Sequence, residues 1–323
     1  MSHSPILTSD QLAHAGQVVY AHLPASPQYA WPLLKKRVGA TVWVKHENHL
    51  PVGAFKIRGG LVYANRLLQA GTKPAGLLCA TRGNHGQSVA LAASLCNLPV
   101  TIVVPHGNSA EKNAAMQALG AELVEHGDDF QQAKEYATAL QHQQSLHFVP
   151  SFHPDLIAGV ATAWLEFFKT VQPDVLFVPI GQGSGFCAAA AVRNLLNLKT
   201  RLIGVVSAHA SAYQQSFIEK RAVVVPATTQ LADGLACSTP DPQALELIWR
   251  EADDIVAVTD QEVADAMRIL FTDTHNVAEG AGAAALAAAI QQKDRWQNKT
   301  VGVSLSGGNV DAALFTQVLS RAF

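Results

Sequence analysis

Charge is scarce in this chain. Asp, Glu, Lys and Arg make up 15% of its 323 residues, against roughly a quarter in an ordinary soluble protein. With a hydrophobic share of 49%, this implies layers buried on both faces. The 23 basic and 25 acidic residues leave a net charge of −2 and form no basic block. That excludes the electrostatic footprint of a nucleic-acid binder. No charge run marks a disordered segment, and no fixed-period repeat or low-complexity linker interrupts the chain. Cysteine is rare too. Cys79, Cys96, Cys187 and Cys237 share no C-x-x-C spacing, which argues against a disulfide scaffold and a structural zinc cluster. They read as buried small residues in a reducing, cytoplasmic setting. The first 30 residues carry Asp10 and several His and Pro, with no apolar core of a secretory signal. Val175 to Val192 is free of charge, but Pro179, Gly181, Gly183 and Gly185 interrupt its centre. A spanning helix needs about 20 predominantly apolar residues, so this segment reads as strand, glycine loop and helix, and no membrane partner is expected.

What is present is a rhythm of short apolar strand, turn and longer helix. Strands are predicted at Gly76–Ala80, Val100–Val104, Ala121–Glu125 and Leu146–Val149, with helices over Gln87–Cys96, Glu111–Leu119 and Phe130–Leu140 between them. A second series follows. It has a helix over Gly159–Val171, a strand at Asp174–Val178, a helix over Phe186–Leu196 and a strand at Arg201–Val206. Beyond them come a strand at Ile255–Val258, helices from Asp260 to Ile290, a strand at Thr300–Leu305 and a last helix over Val310–Leu319. Strands alternating with helices, and apolar without a two-residue period, indicate α/β architecture with parallel sheets covered on both faces. At roughly 150 residues per domain the length suggests two domains. The expected division is a small domain at 75–149 and a large one from 1–74 and 150–323. Ligands in open α/β sheets bind beyond the carboxyl ends of strands. Three glycine-bearing loops sit at such ends, Gly83–Gly86, Gly181–Gly185 and Ser306–Asn309, and are expected to face one cleft.

The loop Gly181-Gln182-Gly183-Ser184-Gly185 follows a strand and opens a helix. Its amides can converge on an anion, with the helix dipole in support, so a phosphate is the natural guest. A dinucleotide fingerprint needs glycine where Phe186 stands and an acid about 20 residues on; the next strand ends Val205-Val206-Ser207. A tight turn in close packing is the plainer alternative. Lys56 lies in Ala54-Phe55-Lys56-Ile57-Arg58-Gly59-Gly60 among apolar neighbours. Burial lowers a lysine's pKa and frees its amine as a nucleophile toward carbonyls. A snorkelling surface lysine fits the spacing equally well.

Taken together, the motifs resemble a family. Glu47-Asn48, then Ala54-Phe55-Lys56-Ile57-Arg58-Gly59, then Gly83-Asn84-His85-Gly86-Gln87, the glycine loop and Ser306-Gly307-Gly308-Asn309 stand in this order over nearly the whole chain. They are similar to the fold-type II pyridoxal-phosphate enzymes, in particular the serine/threonine dehydratase and serine racemase group. The resemblance implies a tryptophan synthase β-like fold of two αβα domains, pyridoxal 5'-phosphate as cofactor, an amino acid as substrate and a homodimer. It implies that Lys56 holds the cofactor as a Schiff base and moves the substrate's Cα proton. Phe55 packs beside the cofactor, Asn84 meets its 3-hydroxyl, and Ser306 meets its ring nitrogen. Gly181, Gln182, Gly183, Ser184 and Gly185 take its phosphate. Thr81, Arg82, Gly83 and His85 belong to the substrate loop. Glu279 matches an acid near the ring, or is simply a carboxylate at a helix N-terminus. A neutral serine at the ring nitrogen favours quick β-elimination, giving a 2-oxo acid and ammonia from a β-hydroxy amino acid.

The chain departs from the family pattern in places. Racemases of the group carry a serine base where Arg82 stands, and arginine stays protonated. Arg82 either meets a second anionic group on a substrate or points into solvent. The family's divalent-metal ligands fall on Val206 and Ala212, which offer no hard oxygen. His209, and the pair His46 and His49, lack a zinc frame, so no metal is expected. Gln182 and Ser184 break the usual glycine run, and Ala158-Gly159-Val160-Ala161-Thr162 replaces the usual Ala-Gly-Gln-Gly-Thr. Threonine or serine is the default substrate, with 3-hydroxyaspartate and phenylserine types open. Only 14 residues follow Asn309, so no appended regulatory domain is expected. A β-replacement synthase or racemase of the same fold and a non-catalytic cofactor-binding protein are the alternatives.

Overall fold

The structure is a computed structural model that describes residues 5–71 and 74–323. Helix α1 (Ser9–Tyr20) precedes strand β1 (Gln28–Ala30), helix α2 (Pro32–Val38), strand β2 (Thr41–His46) and helix α3 (Lys56–Gln69). Then β3 (Leu77–Ala80), α4 (Asn84–Leu95), β4 (Val100–Val104), α5 (Ala110–Ala118), β5 (Glu122–Glu125), α6 (Phe130–Gln144) and β6 (His147–Phe148) follow in strict alternation. The chain continues through α7 (Pro154–Thr170), β7 (Val175–Pro179), α8 (Ser184–Leu195), β8 (Arg201–Ser207), α9 (Ala212–Glu219) and α10 (Pro242–Glu251). It closes with β9 (Asp254–Val258), α11 (Asp260–Thr274), α12 (Gly280–Gln291), β10 (Thr300–Leu305) and α13 (Ala312–Leu319).

Two sheets result. The larger has the order β1-β2-β10-β7-β8-β9 and the smaller β5-β4-β3-β6. The α/β architecture read from the strand–helix alternation is present, with one correction. Strand β1 runs antiparallel to β2, whereas every other pairing is parallel. The β1–β2 link, residues 31–40, is shorter than the dozen or so residues a parallel crossover needs.

Helix starts explain most differences from the predicted boundaries. His153 accepts from the Asp155 amide at 3.2 Å and Pro154 occupies the first turn. That capping lets α7 begin at Pro154, five residues before the predicted Gly159. Helices α4 and α8 likewise begin inside their glycine loops, at Asn84 and Ser184. Helix α12 is nearly all alanine and glycine and is buried over most of its length. Its narrow girth lets it fill the space between the large sheet and α11.

The elements that carry the site are held close. A side chain on Gly159 would meet the Arg58 carbonyl at 2.1 Å, so α3 and α7 touch backbone to backbone. This contact fixes the height of Lys56, the first residue of α3. Among the described residues, no helix is long and apolar enough to cross a membrane.

Candidate active site

The three glycine-bearing loops meet. A cavity of about 680 Å³ is lined by Phe55, Lys56, Asn84, Gly181 to Gly185, Glu279 and Ser306. A second cavity of about 760 Å³ shares Lys56, Asn84, Gly181, Gln182 and Glu279 with the first and adds Thr81, Arg82, Gly83 and His85. Every site residue named from the sequence therefore lines one cavity or both.

Lys56 projects from the start of α3 into this space. Its amine makes no hydrogen bond among the described residues and lies 5.1 Å from the Phe55 ring. The side chain is partly exposed, but to the cavity rather than to the outer surface. Desolvation lowers its pKa to about 8, against the opposing pull of Glu279. This is the reactive-amine reading of Lys56 rather than the snorkelling one.

At the opposite wall Gly183 takes φ +97° as the residue before α8, and no side chain caps that helix. The first amides of α8 thus lack intrahelical partners and sit in the cavity wall. The Tyr213 hydroxyl supports this loop from behind. It donates to the Gln182 carbonyl at 3.1 Å and accepts from the Asp241 amide at 3.0 Å. Tyr213 is fully buried and was not singled out by sequence reasoning, because its partners lie 31 and 28 residues away.

Asn84 joins the loops in a relay. Its carbonyl oxygen accepts from Asn309 at 2.7 Å, and its amide donates to Glu279 at 2.6 Å. Glu279 precedes α12 without capping it; its carboxylate turns into the cavity instead. Burial raises its pKa to about 7, with Asp233 adding to the rise and Lys112, Asn84 and Lys56 opposing it. The Ser306 hydroxyl lies 3.5 Å from the Ala281 carbonyl. His85 is held neutral: burial, with Lys56 nearby, lowers its pKa to about 4, and its Nε2 lies 3.2 Å from the Val149 carbonyl.

Beneath the cavity lies a buried ionic group that patterning did not reveal. Arg58 donates to Glu47 at 2.7 and 3.1 Å and to Glu166 at 2.7 and 3.0 Å. Lys45 donates to Glu166 at 2.5 Å. Burial disfavours the charge on Glu166, yet Arg58 and Lys45 hold its carboxyl below the usual range. Lys45 and Glu47 also line the first cavity. The sequence signal was Lys45 near the end of an apolar strand with Glu47 just beyond it, which is legible only as an anomaly.

Such a wall has an amine for an aldehyde, free amides for a phosphate, and amide and hydroxyl groups for a polar ring. A pyridoxal-phosphate cofactor fits it. The pyridoxal-phosphate dependent enzyme family model matches residues 21–307, and the chain belongs to that family. It is an enzyme of the ammonia-lyase and racemase group. It is 34% identical to the L-threonine ammonia-lyase of Thermotoga maritima over 90% of this chain and 72% of that protein. It is 30% identical to the L-threo-3-hydroxyaspartate ammonia-lyase of Saccharomyces cerevisiae over 97% of this chain and 96% of that one. The maize serine racemase structure superposes with a TM-score of 0.88 at 24% identity, covering 98% of each chain, which shows the shared fold.

No group of three or more His, Cys, Asp or Glu able to hold a metal ion occurs among the described residues.

Proposed function

We propose that this enzyme removes water and then ammonia from a β-hydroxy amino acid, leaving a 2-oxo acid. The observation that carries the reading is the Lys56 amine. It is unpartnered, close to neutral pH in its titration, and set in a cavity that a glycine loop, Asn84 and Ser306 complete. Relatives acting on threonine and on threo-3-hydroxyaspartate support the β-hydroxy substrate class. When bound, the cofactor supplies a carbonyl for the substrate amine and an electron sink for the charge left at Cα.

The chain's residues do the rest. Lys56 anchors the cofactor and, as a neutral amine, takes the Cα proton. The first amides of α8 hold the phosphate. Asn84 and Ser306 orient the ring, Ser306 without adding a charge. Thr81 and Gly83 receive the substrate carboxylate, while neutral His85, its Nε2–H donated to the Val149 carbonyl, lines the same loop. Loss of the Cα proton with the β-hydroxyl is net loss of water. Hydrolysis of the released enamine then gives ammonia and the 2-oxo acid. Racemisation needs a second group that can lose and regain a proton, and a guanidinium is a poor base. A cytoplasmic homodimer belongs to the same proposal; light scattering of the purified protein tests its size.

The test is release of 2-oxo acid and ammonia from L-threonine, L-serine, their D-forms, 3-hydroxyaspartate and phenylserine. Turnover of at least one, abolished in Lys56→Ala together with covalent cofactor attachment, is the expected result. Loaded enzyme that turns over none of them overturns the lyase reading. Inversion without 2-oxo acid points to a racemase, and turnover only with an added nucleophile points to β-replacement.

A further inference from the structure

We propose that Arg82 binds a second carboxylate on the substrate, so that the preferred substrate is a dicarboxylic β-hydroxy amino acid of the 3-hydroxyaspartate class. This rests on the lyase reading and names the substrate of that same site.

The argument is a charge account of the second cavity. Five charged groups face it: Lys56, Arg82, Lys112, Asp233 and Glu279, with His85 beside them. Lys112 donates to Asp233 at 2.5 Å, so these two neutralise each other. Glu279 is engaged by Asn84 at 2.6 Å, and burial shifts it toward its neutral form. His85 is neutral and held on the Val149 carbonyl. Lys56 is committed to the cofactor in the reading above. Arg82 is left over. Arg82 is exposed, and its guanidinium makes no hydrogen bond and no ion pair among the described residues, although it lines a cavity that also contains two acids.

Position sharpens the point. Arg82 lies between Thr81 and Gly83, in the loop expected to take the α-carboxylate, and lines both the second cavity and a further one that shares Lys112, Asp233 and Glu279 with it. A substrate seated by its α-carboxylate on this loop directs its β-substituent toward the remaining cavity. A methyl group there leaves the exposed guanidinium to water. A carboxylate meets a planar fork that matches it through two parallel N–H donors. Lys112 cannot take the same role without leaving Asp233 unpaired.

The experiment compares kcat/KM of the loaded enzyme for 3-hydroxyaspartate isomers with that for L-threonine, in the native chain, Arg82→Ala and Arg82→Lys. The native enzyme is expected to favour a 3-hydroxyaspartate isomer. A hydrogen-bonded charge pair contributes about 1.5–3 kcal/mol, so Arg82→Ala should lower the ratio of the two kcat/KM values about 10- to 100-fold. Most of that loss should fall in KM, and Arg82→Lys should restore part of it. Preference for threonine in the native enzyme, or a ratio unmoved by Arg82→Ala, overturns the proposal. If no β-hydroxy amino acid turns over, the lyase reading fails separately. The Arg82 claim is then judged by binding, through the cofactor absorbance change on titration with 3-hydroxyaspartate or threonine. Tighter binding of 3-hydroxyaspartate that Arg82→Ala abolishes supports it, and equal binding sinks it.

Discussion

Lys56 shows how much a single side chain owes to its surroundings. A free lysine amine is protonated until about pH 10.4. Here burial outweighs the pull of Glu279 and brings that point to about 8. The sign follows directly: below about 8 the amine is charged and inert, and above it the amine is neutral and nucleophilic. Cofactor capture by the apo chain should therefore rise with pH and level off above about 8. Stopped-flow absorbance after mixing with pyridoxal phosphate measures this. A rate still climbing at pH 10 contradicts it. The relay from Asn309 through Asn84 to Glu279 works at the same scale, because each polar group is buried or half-buried and partnered. Lone burial of any one of them is costly.

At the scale of elements, the phosphate-binding wall is an assembly of helix starts. Helix α8 leaves its first amides free, and Gly183 supplies the left-handed turn before it. Helix α9 contributes Tyr213, whose hydroxyl ties that turn to the start of α10. Removing the hydroxyl leaves the Gln182 carbonyl and the Asp241 amide without that partner, at about 1–3 kcal/mol. Some of that cost is felt in the loop's geometry. Tyr213→Phe is thus expected to weaken cofactor affinity about 5- to 10-fold, or about 1–1.4 kcal/mol, with the fold intact by circular dichroism. Equilibrium dialysis or fluorescence titration of the apo chain with pyridoxal phosphate measures it. An unchanged affinity shows that the loop is held without the tyrosine.

The whole molecule is two sheets joined through the site. Strand β2 from the start of the chain pairs with β10 from its end and carries β1 on its outer edge, while β3 to β6 form the small sheet between. Polar links such as Lys112 to Asp233 and Asn84 to Glu279 cross from one to the other. Under the large sheet's share of the cavity, Arg58 is fully buried between Glu47 and Glu166. Removing one partner from such a group leaves uncompensated charge, at about 3–5 kcal/mol. Arg58→Met is expected to lose stability of about that size in urea unfolding of the apo chain. A loss below about 1 kcal/mol means the carboxylates find other partners.

The sequence by itself determined the strand–helix alternation from β3 onward except for α9 and α10, the three glycine loops, and a set of candidate residues that line the cavities. These depend on local chemistry: β-branched runs, glycines at strand ends, and a fixed order of short motifs. It did not disclose β2, where Lys45 and His46 break the apolar pattern of a buried strand. Lys45 is tolerated there because Glu166, 121 residues away, and the Ser26 carbonyl receive its amine. Nor did it place Tyr213 behind the phosphate loop, or decide whether Lys56 and Glu279 face the cavity or solvent. Those outcomes depend on desolvation and on partners distant in the chain, so only the tertiary structure could settle them.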